Sequence, residues 1–161
     1  MGFVSRSEIT TLDYIMPKPE WYSDGLQFAC TQCGNCCTGP PGYVQFNEDE
    51  AKAIAAFIGI SVPEFRRRFT HKKYGTETLN EHRTSFGYDC EFLTRDEQTG
   101  RTGCSIYSVR PQQCRTWPFW SENLKSDKAW ERTKRSCPGA GRGKLYPIEQ
   151  IRILRDTTPE L

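Results

Sequence analysis

Four thiols fall within eight residues in Cys30-Thr31-Gln32-Cys33-Gly34-Asn35-Cys36-Cys37, and no other stretch restricts the possible folds so tightly. Two residues between cysteines let a tight turn bring both sulfurs toward one ion while backbone N–H groups point at them. For that reason C-x2-C recurs in zinc knuckles and C-x2-C-x2-C in iron–sulfur proteins. Gly34 allows a sharp turn just after Cys33, where a Cβ would obstruct it. Four more cysteines follow at Cys90, Cys104, Cys114 and Cys137; the last sits in Cys137-Pro138, a pair that also closes the bacterial ferredoxin ligand run. The chain reads as a cysteine-ligated metal protein. Cys30, Cys33, Cys36 and Cys37 begin the sites, and the later four complete them.

The adjacent Cys36 and Cys37 bear on the number of centres. In an extended segment neighbouring side chains point to opposite sides, so this pair does not readily chelate one mononuclear ion. Either the two serve different centres, or one ligates while the other packs or reacts. Two four-thiolate centres is the simplest full assignment of eight thiols, and the spacing leaves the pairing open.

At 161 residues the chain is one domain by length, large enough for a core of its own. Cysteine is about 5% by count, below the level of a small disulfide scaffold. The first dozen residues hold no apolar signal-peptide run, and no stretch is long and apolar enough to span a bilayer. A cytosolic location follows as the expectation, and there clustered thiols mean metal or redox chemistry. The formal charge of +2 counts the cysteines as neutral. Eight thiolates holding two centres of core charge +2 would turn it into −2, so overall charge lends no support to a nucleic-acid partner.

Residues 1–20 are polar and include Pro17 and Pro19, which reads as a loosely tethered arm ahead of a domain over residues 21–161. The run from Trp21 through Phe28 suggests a short strand delivering the cysteine cluster. Gly39-Pro40-Pro41-Gly42 is a stiff turn, and Tyr43-Val44-Gln45-Phe46 reads as another strand. Asn47 with Glu50 forms a capping-box pattern ahead of a helix with Ala51, Ile54, Ala55 and Ile58 on one face, ending near Gly59. Ser61-Val62-Pro63-Glu64 repeats the start signal; Phe65 and Phe69 face one way. Arg66 to Arg68, continued by His71, Lys72 and Lys73, reads as a solvated basic face. Residues 75–89 look irregular or weakly paired. Asp96 to Gly100 suggests the tip of a hairpin with Cys90 and Cys104 on its two arms. Short helices are expected near Ser108 to Cys114, from Asp127 to Arg135 and from Pro147 to Arg155. Together these make an α+β fold, with short strands and cysteine-rich loops beside a few helices, closed by cysteine-bound metal.

The ordered set of residues resembles a known bacterial family, the CxxCxxCC or YkgJ-like cysteine-cluster family. The likeness rests on Phe28-x-Cys30-x-x-Cys33-Gly34-x-Cys36-Cys37 and Gly42-Tyr43-Val44, then Cys90-x-Phe92-Leu93. It continues through Cys104-x-Ile106-Tyr107-x-x-Arg110-Pro111-x-x-Cys114-Arg115-x-Trp117-Pro118-Phe119 to Cys137-Pro138-Gly139-x-Gly141. It implies chelation of zinc or iron. A flagellin lysine methylase is similar over the cysteine pattern, which implies a redox or methyl-transfer enzyme as the second reading. No Ser-His-Asp set, H-E-x-x-H or P-loop supplies independent catalytic grounds, so the sequence leaves open whether the protein is an enzyme.

Zinc would act as a closed tetrahedral staple. An iron–sulfur cluster suits the three-cysteine run, the remote Cys-Pro and the aromatic residues nearby. One or two centres fit either metal. Arg110 and Arg115 bracket Cys114 and could offset a negative centre, whereas Trp117, Phe119 and Trp120 read as core packing. His71 and His82 stand at no ligand spacing from a cysteine and read as surface residues. Gly139-Ala140-Gly141-Arg142-Gly143 lacks a preceding strand and reads as a flexible linker, not a phosphate loop.

Overall fold

β1 (Leu26–Phe28) carries the chain into the cysteine run and pairs antiparallel with β8 (Lys144–Tyr146), which lies more than a hundred residues further on. The computed structural model describes residues 19–159, so the arm expected over residues 1–20 lies outside it apart from its last two residues. The strand expected over residues 43–46 reduces to a single bridge between Gln45 and Thr78. Side chains take its amides instead: Val44 N–H donates to Thr78 Oγ1 and Gln45 N–H to Gln113 Oε1, each at 2.8 Å.

α1 (Glu48–Ile58) opens on a complete capping box. Glu50 N–H donates to Asn47 Oδ1 and Asn47 N–H to the Glu50 carboxylate, both at 2.9 Å. Ala51, Ile54 and Ala55 form its buried stripe, and Gly59 ends it in the left-handed region. α2 (Val62–Phe69) is capped by Ser61, with Pro63 in its first turn. Arg66 pairs with Glu48 and Glu77 and Arg68 with Glu64, so these arginines form a solvated, paired face.

The chain then folds into two ribbons, β2 (Thr70–Lys73) with β3 (Thr76–Leu79) and β4 (Glu81–Thr84) with β5 (Gly87–Cys90). Residues 75–89 are therefore regular hairpins. Only Thr78, Leu79 and Asp89 of these strands are buried, so no apolar alternation marks them in the sequence. His71, Lys72 and Lys73 lie on β2 and do not continue the α2 face. β6 (Leu93–Arg95) and β7 (Thr102–Cys104) form the hairpin expected around residues 96–100. Cys104 sits on its second arm, but Cys90 ends β5, because the chain turns at Glu91 and Phe92 before β6 begins.

α3 (Gln112–Thr116), α4 (Ser121–Leu124), α5 (Asp127–Ser136) and α6 (Ile148–Asp156) complete the α+β arrangement. Among the described residues no helix is long and apolar enough to cross a membrane. The glycine-rich stretch after Cys137 is not a flexible linker. Ala29 N–H donates to the Gly139 carbonyl (3.1 Å) and Gly141 N–H to the Gln27 carbonyl (2.8 Å). A Cβ on Gly139 would run into the Ala29 carbonyl. Glycine is there because two backbones touch.

Two apolar cores result. The first gathers Tyr22, Leu26, Phe119, Trp130, Cys137 and Ile151, with Phe119 stacked on Trp130 at 5.9 Å. The second gathers Ala51, Ile54, Phe65, Leu79, Phe92 and Ile106, with Cys90 and Cys104 packed against it.

Candidate metal centre

A cavity of about 80 Å³ is lined by Phe28, Trp117 and Cys137 from the side of the first core and by Leu79, Phe92 and Ile106 from the second. Cys30, Cys33, Cys36, Cys37, Cys90, Cys104, Cys114 and Cys137 all line it too, and none is in a disulfide. The structure thus brings every cysteine singled out in the sequence to one space. Among the described residues no three Cys, His, Asp or Glu side chains converge closely enough to hold a single ion. The thiols ring a volume and do not meet at a point.

The geometry of Cys36 and Cys37 corrects the expectation that they point apart. Asn35–Cys37 is a 3-10 turn entered through Gly34 at φ 75°, and the two sulfurs lie 3.7 Å apart on the same cavity. A 3-10 turn rotates about 120° per residue and an extended strand about 180°, which removes the opposition.

Each cysteine segment is held by residues beside the cysteine. Asn35, before Cys36, donates to the carbonyl of Ser136, before Cys137 (2.9 Å). Thr38, after Cys37, donates its hydroxyl to the carboxylate of Asp89, before Cys90. Thr102, two residues ahead of Cys104, donates to the Gln32 carbonyl beside Cys33 (2.7 Å). Gln113, before Cys114, accepts from Gln45 and donates to the Tyr43 carbonyl. Asp89 is buried at 2% exposure and receives both Arg95 Nε (2.8 Å) and Nη2 (3.1 Å). Sequence reasoning missed these positioning residues. Their one signal is a polar side chain one or two residues from a cysteine.

Electrostatically the thiols divide, with Cys36 favoured as thiolate and Cys37, Cys90, Cys104 and Cys114 as thiol. Burial pushes the Cys90 thiol up to about 11 and raises Cys104 and Cys114 as well. The hydrogen bond between Cys36 and Cys37 draws Cys36 down to about 7 and drives Cys37 well above the ordinary thiol range. The Arg110 guanidinium acts in the opposite sense to burial on Cys104 and Cys114, and it also favours the Cys36 thiolate. It lines the cavity, 3.6 Å over the Tyr107 ring, with Nε donating to the Tyr107 carbonyl (2.9 Å).

Arg115, expected to share this role, pairs with Glu50 (3.3 Å) and Gln112 away from the cavity wall. Phe119 is fully buried as core, whereas Trp117 and Trp120 line the cavity. His71 contacts Asn80 and His82 lies 3.6 Å from Glu91, both on the surface.

An α+β chain built around a cavity of eight cysteines defines a cysteine-cluster protein. The chain belongs to the CxxCxxCC family, described as "Putative zinc- or iron-chelating domain", which matches residues 29–138. The protein MJ0661 of Methanocaldococcus jannaschii, itself uncharacterized, is 33% identical over 98 residues, 61% of this chain and 48% of that protein. The chain therefore spans about half the length of this curated relative. No solved structure matches the chain.

Proposed function

We propose that the eight-thiol cavity binds iron as an iron–sulfur centre held by cysteine thiolates, joining segments distant in the sequence within a single domain. The observation that carries this reading is that cysteines spread from position 30 to position 137 all line one cavity. The family description supports zinc or iron, and two features favour a cluster. The cavity of about 80 Å³ is several times the roughly 10–15 Å³ that one water-sized occupant needs. Phe92, Leu93, Ile106 and Trp117 give it an apolar lining, while Cys30 and Cys36 are exposed to solvent. The donor set fits, since soft thiolates accept iron–sulfur clusters and zinc alike.

A bound cluster supplies one-electron chemistry. The chain's own contribution is to hold it through the cysteines, to offset its negative charge with Arg110 and to keep water from its apolar side. Zinc is the second reading, favoured by the C-x2-C spacing of Cys30 and Cys33.

The test is anaerobic purification followed by iron, zinc and acid-labile sulfide analysis with an absorbance spectrum. Iron, sulfide and a broad visible band that bleaches on reduction are expected; a colourless protein with stoichiometric zinc overturns the cluster. Cys33→Ser is expected to lose metal and melt at lower temperature, and unchanged metal content in that variant contradicts the ligand assignment.

A further inference from the structure

Two indoles stand in the cavity wall, edge to face with ring centres 4.9 Å apart. They differ in one respect. Trp120 Nε1 donates to the Gln113 carbonyl at 2.9 Å. Trp117 Nε1 is buried and has no acceptor among the described residues. Buried polar groups in folded proteins are almost always satisfied, and an orphan donor calls for a partner that belongs to the functional state. Trp117 is well placed to have one. It follows α3 directly, three residues after Cys114, and its ring lines the same cavity as the eight thiols.

We infer that Trp117 is a binding residue for the occupant of the cavity, its indole N–H donating to a sulfur of an iron–sulfur cluster. This rests on the cluster reading above and deepens it, because it names a residue that would bind the cluster beyond the cysteines. A zinc ion carries no lone pair of its own, so at a zinc site the sulfur acceptors are the cysteine thiolates alone. An iron–sulfur cluster brings inorganic sulfide, an acceptor that the protein itself does not provide to Trp117. Hydrogen bonds to cluster sulfurs are among the levers that set a cluster's potential. A donor at sulfur stabilises the more negative, reduced state more than the oxidised one, so losing it lowers the potential. Of the two wall indoles only Trp117 has this role, since the Trp120 proton is already committed to backbone.

The experiment is an anaerobic redox titration of the whole chain reconstituted with ferrous iron and sulfide. The native protein is compared with Trp117→Phe, with Trp120→Phe, and with benzothienylalanine at position 117. The last keeps the bicyclic shape and replaces only the N–H by sulfur, so it remains informative if Trp117→Phe fails to fold. The expected result is a lower potential for both changes at position 117 at unchanged iron and sulfide content, with Trp120→Phe close to native. An unchanged potential for the benzothienyl protein, or the same fall in Trp120→Phe, overturns the role of Trp117 and leaves the cluster standing. A native protein that takes up zinc but no sulfide overturns both.

Discussion

Asp89 shows how much a single side chain beside a cysteine can carry. Its buried carboxylate accepts from Thr38, next to Cys37, across 51 positions, Cys90 follows it directly, and Arg95 closes the group from the solvent side. Asp89→Asn leaves Arg95 without its counter-charge and weakens two charge-assisted bonds, so a loss of about 1.5–3 kcal/mol in urea unfolding is expected. The Arg95 hydrogen bonds hold the Asp89 carboxyl below its ordinary value of 3.8. Its stabilisation is therefore complete above that value and is lost as pH falls through the lower folded one, a response that Asp89→Asn should lack. The thiols carry the opposite sign. Cys90, Cys104 and Cys114 hold their protons above the ordinary thiol range, so metal must displace them. Metal uptake should release protons and tighten steadily between pH 6 and 9, as a metal-buffered titration at several pH values would register. The cysteines were legible because C-x2-C-x2-C-C is a local pattern. Asp89 was not, because a bond across 51 positions leaves no trace in spacing.

Among the elements, α1 and the glycine-rich bracket represent the two extremes of legibility. Every signal that starts and stops α1 lies within a few residues: Asn47, Glu50, the apolar stripe and Gly59. The bracket of Gly139 and Gly141 against residues 27–29 is visible only once β1 and β8 have paired. For the same reason the ribbons β2–β3 and β4–β5 escaped periodicity, since they bury too few side chains to alternate. Asn47→Ala removes a cap far from the thiols and should cost about 1 kcal/mol with metal content intact. Gly139→Ala places a methyl against the Ala29 carbonyl, one residue from Cys30 and two from Cys137. It should cost roughly 1–3 kcal/mol as overpacking and also lower metal content. Melting curves paired with metal analysis separate the two cases; equal metal loss in both variants would mean that the bracket has no special tie to the site.

At the scale of the whole molecule, the cavity sits where the two cores meet. Cys137 belongs to the first core, and Cys90 and Cys104 pack against the second. An occupant held from both sides acts as a joint between them, so the cores are expected to be less tightly coupled without metal. A centre present at about a thousand times its dissociation constant stabilises the chain by about 4 kcal/mol. For a domain near this size that corresponds to a melting shift of roughly 8–16 °C. The more discriminating quantity is cooperativity. Amide exchange in α5, which carries Trp130, reports on the first core, and amide exchange in α1 and α2 reports on the second. In loaded protein the two probes should give one coincident transition. After removal of metal by a chelator they should separate, because the halves are then linked by polar contacts such as those beside the cysteines and those of Glu50 with Gln112 and Arg115. Coincident transitions at an unchanged temperature after chelation would show that the apolar cores bind each other directly, and the thiols would then need a role other than joining them.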